Sequence, residues 1–142
     1  MSNQLTFFSS ETSSEMELPY SESGVSAGFP SVAEDMMGLS LDLNKELVRN
    51  PASTFFARVS GVSMIDEGID EGDLLVIDKS VEPSNNCLAV CFLDGEFTLK
   101  RVKFEKECAW LMPANEKYKP IKVTSDNEFS IWGVVKYLIK KI

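Results

Sequence analysis

From Thr54 to the C-terminus the chain is a succession of short β-type runs separated by turn residues, and this pattern constrains the fold more than any other feature. Thr54 to Val59, Leu74 to Ile77 and Leu88 to Leu93 are the first three such runs. Asp94-Gly95 then predicts a tight hairpin into Glu96 to Phe104. Further strands are expected over Ala109 to Met112, Ile121 to Val123 and Phe129 to Leu138. Short strands with turns between them predict a compact, mainly β domain, and 142 residues suffice for one core.

The N-terminal part follows a different rule. Residues 1–27 hold eight serines and four glutamates but no Lys or Arg, and their apolar residues keep no sustained period. The expectation is a flexible, acidic, Ser-rich arm, followed by a β domain over residues 28–142. Gly28-Phe29-Pro30-Ser31 redirects the chain, and Val32 to Met37 is expected to form a short turn or helix. Asp42 to Val48 reads as a short helix: Asp42 caps it, Leu43 and Leu47 share a face, and Pro51 stops it.

Composition narrows the chemistry. There is no histidine, so no Ser-His-Asp or Cys-His catalysis can be built within the chain. Any proton transfer falls to carboxylates, Lys, Tyr or Cys. The net charge of -8 argues against direct binding of nucleic acid, which needs clustered Lys and Arg. No apolar run approaches the ~20 residues that span a bilayer, so no membrane partner is expected. Cys87, Cys91 and Cys108 are too few for a complete disulfide framework and fit a reduced, cytosolic setting. On one strand, Cys87 and Cys91 would stand ~13 Å apart, too far to share a metal ion directly. The acidic run Asp66, Glu67, Asp70, Glu71, Asp73 fails the EF-hand pattern, because the twelfth position is Ile77, and reads as a solvated turn. No metal or cofactor is expected. Trp110 and Trp132, in apolar strands, are expected in the core.

Two residues stand out against that background. Ser63, in Ser60-Gly61-Val62-Ser63-Met64, follows a strand and falls at the rim of a sheet, where a hydroxyl can be presented. Ser60 is a rival for the same role. Lys100 follows the Asp94-Gly95 turn, and strand alternation puts it on one face with Thr98 and Val102. An amine among apolar neighbours loses hydration, which disfavours its charged form. Reaching a pKa near 7 would take about 4–5 kcal/mol. A neutral Lys100 could then deprotonate Ser63, with Thr98 orienting the amine.

The order Ser-Gly-Val-Ser-Met, then Glu71-Gly72-Asp73, then Asp94-Gly95-Glu96-Phe97-Thr98-Leu99-Lys100-Arg101 resembles the self-cleaving family of LexA repressors and UmuD mutagenesis proteins (peptidase S24). The resemblance is closest to the UmuD branch and runs from about Val25 to the C-terminus. It includes Gly28-Phe29-Pro30-Ser31, Asp42-Leu43-Asn44, Gly72-Asp73-Leu74-Leu75 and Gly133-Val134-Val135. It implies the strongly bent antiparallel sheets of LexA- and signal-peptidase-like proteins. It also implies a Ser–Lys dyad, carried here by Ser63 and Lys100, and favours Ser63 over Ser60 by position. The scissile bond it implies is Ala27-Gly28, so that cutting removes residues 1–27. The oxyanion would be met by the N–H of Ser63 with a neighbour in the turn from Val62 to Met64. A cytoplasmic homodimer, stimulation by a RecA–single-stranded DNA filament and partnership with a UmuC-type translesion polymerase are further implications. One departure is Asn86-Cys87, where the family usually has Gly-Asp before a strand, which weakens the expected turn. The alternatives are a non-enzymatic regulator that binds a polymerase or transcription factor, and a signal-peptidase-like enzyme, disfavoured for want of a membrane anchor.

Overall fold

The computed structural model describes residues 4–19 and 40–142. The expected turn over Val32 to Met37 and the Ala27-Gly28 bond lie outside the described residues. Ten strands are described: β1 (Gln4–Ser9), β2 (Glu17–Pro19), β3 (Ser40–Asp42), β4 (Thr54–Ser60), β5 (Leu74–Asp78), β6 (Cys87–Leu93), β7 (Glu96–Phe104), β8 (Ala109–Met112), β9 (Ile121–Val123) and β10 (Phe129–Ile139). Eight of them form one antiparallel sheet in the order β1-β4-β5-β10-β6-β7-β8-β9, and β2 pairs with β3. The mainly β expectation holds, and the seven strands read from residue 54 onward are all present, each within one residue at either end.

The sheet is buried on both faces at its centre, which explains the unbroken apolar run of β6. Leu88 and Val90 face one cluster with Ala57, Val59, Met64, Leu75, Ile77 and Leu99. Cys87, Ala89 and Cys91 face the other with Val102, Leu111, Val123 and Val134. A half-buried strand would alternate polar and apolar, and one covered twice need not. β10 bridges β5 and β6 and shifts register against each, at Val135/Tyr137 and at Ile131/Gly133. Such bulges bend a strand and deepen its twist.

Short-range polar contacts fix the connections. Asp42 caps the helix α1 (Leu43–Leu47), accepting from the N–H of Asn44 at 2.9 Å and of Lys45 at 3.4 Å. Asp94 and Gly95 both take positive φ, 47° and 93°, as the expected hairpin requires. The departure at Asn86 is accommodated: its φ is 66°, in the left-handed region that Asn tolerates better than most residues. Buried Asp78 joins the start of β4 to the end of β5 by accepting from Asn50 at 2.8 Å and Ser53 at 2.9 Å. Burial alone would raise its pKa. These bonds and those from Ser80 outweigh that effect and hold it at about 2.

The structure refines three expectations. Residues 4–19 contain two strands, and Leu5 and Phe7 pack against the first cluster. Trp132 is half-buried among Phe7, Phe55 and Phe97, with the Lys79 ammonium 4.8 Å from its ring, and Trp110 is also half-buried. Both are partly buried, and Trp132 packs against the first apolar cluster from its edge. The acidic run is largely the solvated turn expected, with Asp66, Glu67, Asp70 and Glu71 exposed, but Asp73 is buried, and Lys140 bonds both Asp70 and Asp73, tying the end of β10 to the turn before β5.

At Gly133, where β10 shifts register between β5 and β6, there is no room for a side chain. A Cβ on Gly133 would meet Cγ2 of buried, β-branched Ile77 at 2.5 Å. Gly133→Ala is expected to lower stability by about 1–3 kcal/mol, read as a lower urea midpoint with unchanged slope.

Candidate active site

Ser63 and Lys100, 37 residues apart in sequence, meet in the interior. Lys100 is held by register: Ala89 opposes Lys100 and Cys91 opposes Thr98, so both β7 side chains project on the same face as these two small β6 residues. Ser63 arrives by a turn. β4 ends at Ser60, and Gly61 has φ of 107°, a conformation costly for any residue with a Cβ. A single 3-10 turn, Ile65–Glu67, follows and closes on Gly68.

The turn is pinned by contacts with no signal in the sequence. The Ala114 N–H donates to the Ser63 carbonyl at 2.8 Å, and Asn115 Nδ2 donates to the Val62 carbonyl at 2.8 Å. The Asp66 N–H donates to the Ala114 carbonyl at 2.6 Å. Glu67, which follows Ser63 by four residues, pairs at 2.7 Å with Arg101, the residue after Lys100. At its exposure this ion pair contributes little energy, but it ties the two halves of the site together.

The amine meets only neutral oxygens. Lys100 Nζ lies 2.9 Å from Ser63 Oγ, 2.8 Å from Thr98 Oγ1 and 3.1 Å from the Leu99 carbonyl. Ser63 and Lys100 are each 1% exposed, so water contributes almost nothing to solvating the charge. Burial lowers the Lys100 pKa from 10.5 to about 8, outweighing Cys91, which acts in the opposite sense. Burial also pushes the Cys91 thiol up to about 12. It therefore stays protonated near pH 8. About one amine in ten is then free at pH 7.

The other candidates separate clearly. Thr98 sits where orientation of the amine was expected. Met64 is fully buried beside Ser63 in the first apolar cluster. Ser60 turns away and donates to Glu71 at 3.3 Å, so the rival serine is not at the lysine. Among the described residues no cluster of His, Cys, Asp and Glu is placed to hold a metal ion, and no helix is long and apolar enough to cross a membrane.

A desolvated amine against a serine hydroxyl, on an antiparallel β frame, is an arrangement that can activate an oxygen nucleophile without histidine. The sequence comparisons agree with this class. Residues 19–136 match Peptidase S24-like, and the chain belongs to that family. It is 40% identical to Protein MucA of Salmonella typhimurium over 133 residues, which is 92% of this chain and 90% of that protein. Protein SamA of Salmonella typhimurium strain LT2 is 42% identical over 115 residues, covering 81% of this chain and 79% of SamA. A LexA repressor of Stenotrophomonas maltophilia is 34% identical over 116 residues, which cover 82% of this chain and 54% of the repressor.

The buried amine has a thermodynamic signature. Between about pH 8 and 10.5 the unfolded chain keeps a proton that the folded chain has released, so stability rises with pH across that window. Below about 8 both states are protonated and the burial penalty is complete. Relative to Lys100→Met, the protein is expected to gain about 3 kcal/mol of unfolding free energy between pH 8 and 10.5. Urea titrations of both proteins across that range measure the difference.

Proposed function

We propose that this chain is a self-cleaving serine peptidase that cuts its own Ala27-Gly28 bond, with Ser63 as nucleophile and Lys100 as base. The observation that carries the reading is the 2.9 Å contact between Lys100 Nζ and Ser63 Oγ in a site closed to water. Membership of the Peptidase S24-like family supports it.

The chemistry follows from the groups present. The neutral amine accepts the Ser63 proton as the hydroxyl oxygen attacks the Ala27 carbonyl carbon. The Lys100 ammonium then gives that proton to the departing Gly28 nitrogen, and an ester between Ser63 and Ala27 remains. Water enters the place vacated by the Gly28 segment, the amine takes its proton as it attacks the ester, and the ammonium returns that proton to the Ser63 oxygen as the Ala27 carboxylate leaves. Thr98 orients the amine through both halves of the cycle. The carbonyls of Val62, Ser63 and Met64 are all engaged by neighbouring donors, which fixes the peptide planes of the turn. This rigidity favours the N–H groups of Ser63 and Met64 as the oxyanion donors.

The wider role rests on resemblance to the UmuD branch. In it the body, residues 28–142, is a catalytic and dimerisation domain, and cutting is stimulated in the cytoplasm by a RecA–single-stranded DNA filament. The processed homodimer then serves as accessory subunit of a UmuC-type error-prone polymerase.

Incubation of purified protein from pH 6 to 10, followed by intact-mass measurement, tests the reading. Loss of residues 1–27 is expected, at a rate that climbs with pH and levels off above a midpoint near 8. Ser63→Ala and Lys100→Ala are each expected to slow it about a hundredfold or more. A chain that stays whole at every pH and with RecA filaments present would sink the proposal. Cutting at another bond would preserve the pair and reject the site.

A further inference from the structure

Strand β1 is an added piece on a finished sheet. It runs antiparallel along the outer edge of β4, from Gln4 opposite Ser60 to Ser9 opposite Phe55. Leu5 opposes Val59 and Phe7 opposes Ala57, and both side chains pack on the cluster that also holds Met64 and Leu99. The Phe7 ring lies 5.3 Å from that of Phe97 and 4.8 Å from that of Trp132, which also meets Phe55 at 5.2 Å and Phe97 at 6.1 Å. So β1 meets two demands of the body at once. It completes the hydrogen-bonding edge of β4, which bare would be a template for another strand. It also roofs an aromatic floor, of which Phe97 is still 37% exposed.

The hold on β1 is modest. Leu5 and Phe7 are only half-buried, and Thr6 and Phe8 face outward. A six-residue strand of this kind keeps its place because the chain tethers it, which supplies an effective concentration in the millimolar range. Cutting the tether removes that advantage and leaves only the intrinsic affinity of a short peptide.

We infer that the slot between the β4 edge and the Phe97–Trp132 floor is a strand-docking site for another polypeptide, open once residues 4–9 depart. Its ligand is an extended segment with an aliphatic side chain two residues before an aromatic one, in the pattern of Leu5 and Phe7. The β4 main chain supplies affinity, and the two side-chain seats supply selectivity. Only the trigger, severance at Ala27-Gly28, rests on the proposed function. The slot also ends at Ser60, three residues before Ser63, so the cut that uses Ser63 frees the strand running up to it.

The test empties the slot without any cutting. Full-length Ser63→Ala protein is compared with the same protein carrying Leu5→Asp and Phe7→Asp. The probe is a fluorescein-labelled peptide with the sequence of residues 3–10, followed by anisotropy. The triple variant is expected to bind it about tenfold or more tightly than the single variant. A peptide with aspartate at both apolar positions should not bind. No binding by the triple variant, or equal binding of both peptides, overturns the slot, provided circular dichroism shows a folded chain.

A second measurement covers a variant that fails to fold. In unsubstituted protein, amide exchange across Thr54–Ser60 is compared before and after residues 1–27 are lost by mass. Faster exchange that the peptide reverses supports the inference, and unchanged protection in fully cut protein overturns it. A chain that never cuts refutes the cleavage reading instead, and the peptide measurement then decides the slot alone.

Discussion

A single lysine amine placed where its charge is poorly tolerated is the constraint around which the rest of the site is organised. Lys100 is as buried as the leucines of the core, and the oxygens it meets are hydroxyls and a carbonyl. A carboxylate beside it would have stabilised the ammonium and raised the pKa, leaving no base near neutral pH. The neighbours on β6 are instead small and uncharged, Ala89 and a thiol that burial keeps protonated. The protein accepts a cost in stability here, as functional sites commonly do.

That cost is sustained by a frame that cannot easily relax. β6 lies between β10 and β7 with both faces covered, so Lys100 on β7 has no room to swing toward water. The Ser63 turn is held from the far side by Ala114 and Asn115, and from β7 by the Glu67–Arg101 pair. Preorganisation of this kind keeps two residues 37 positions apart at hydrogen-bond distance. The same frame leaves the β4 edge as a place for an extended segment to attach, and β1 uses it.

Much of this was legible in advance, for identifiable reasons. The strands from Thr54 onward were readable because β-branched and aromatic runs alternate with turn residues whose backbone demands are local, as at Asp94-Gly95. Helix α1 was readable from Asp42, because a cap acts within three residues. The roles of Glu67, Ala114 and Asn115 were not readable, since each works through a partner more than 30 residues away. Strand β1 was missed because Gln4 to Ser9 sits in a serine-rich, acidic context, and its apolar residues gain meaning only when the β4 edge and Trp132 are beside them.

The amino-acid sequence by itself narrowed the chemistry open to this protein: without histidine, proton transfer falls to carboxylates, Lys, Tyr or Cys, and motif order pointed to Ser63 and Lys100. It also determined a β domain, because pattern and turns are local properties. Only the tertiary structure decided that the lysine is desolvated and that it touches Ser63. Ser60 and Ser63 are alike as local sequence, and one bonds Glu71 while the other meets the amine. Burial is a property of all the elements packed together, and so is the pKa of about 8 that it produces.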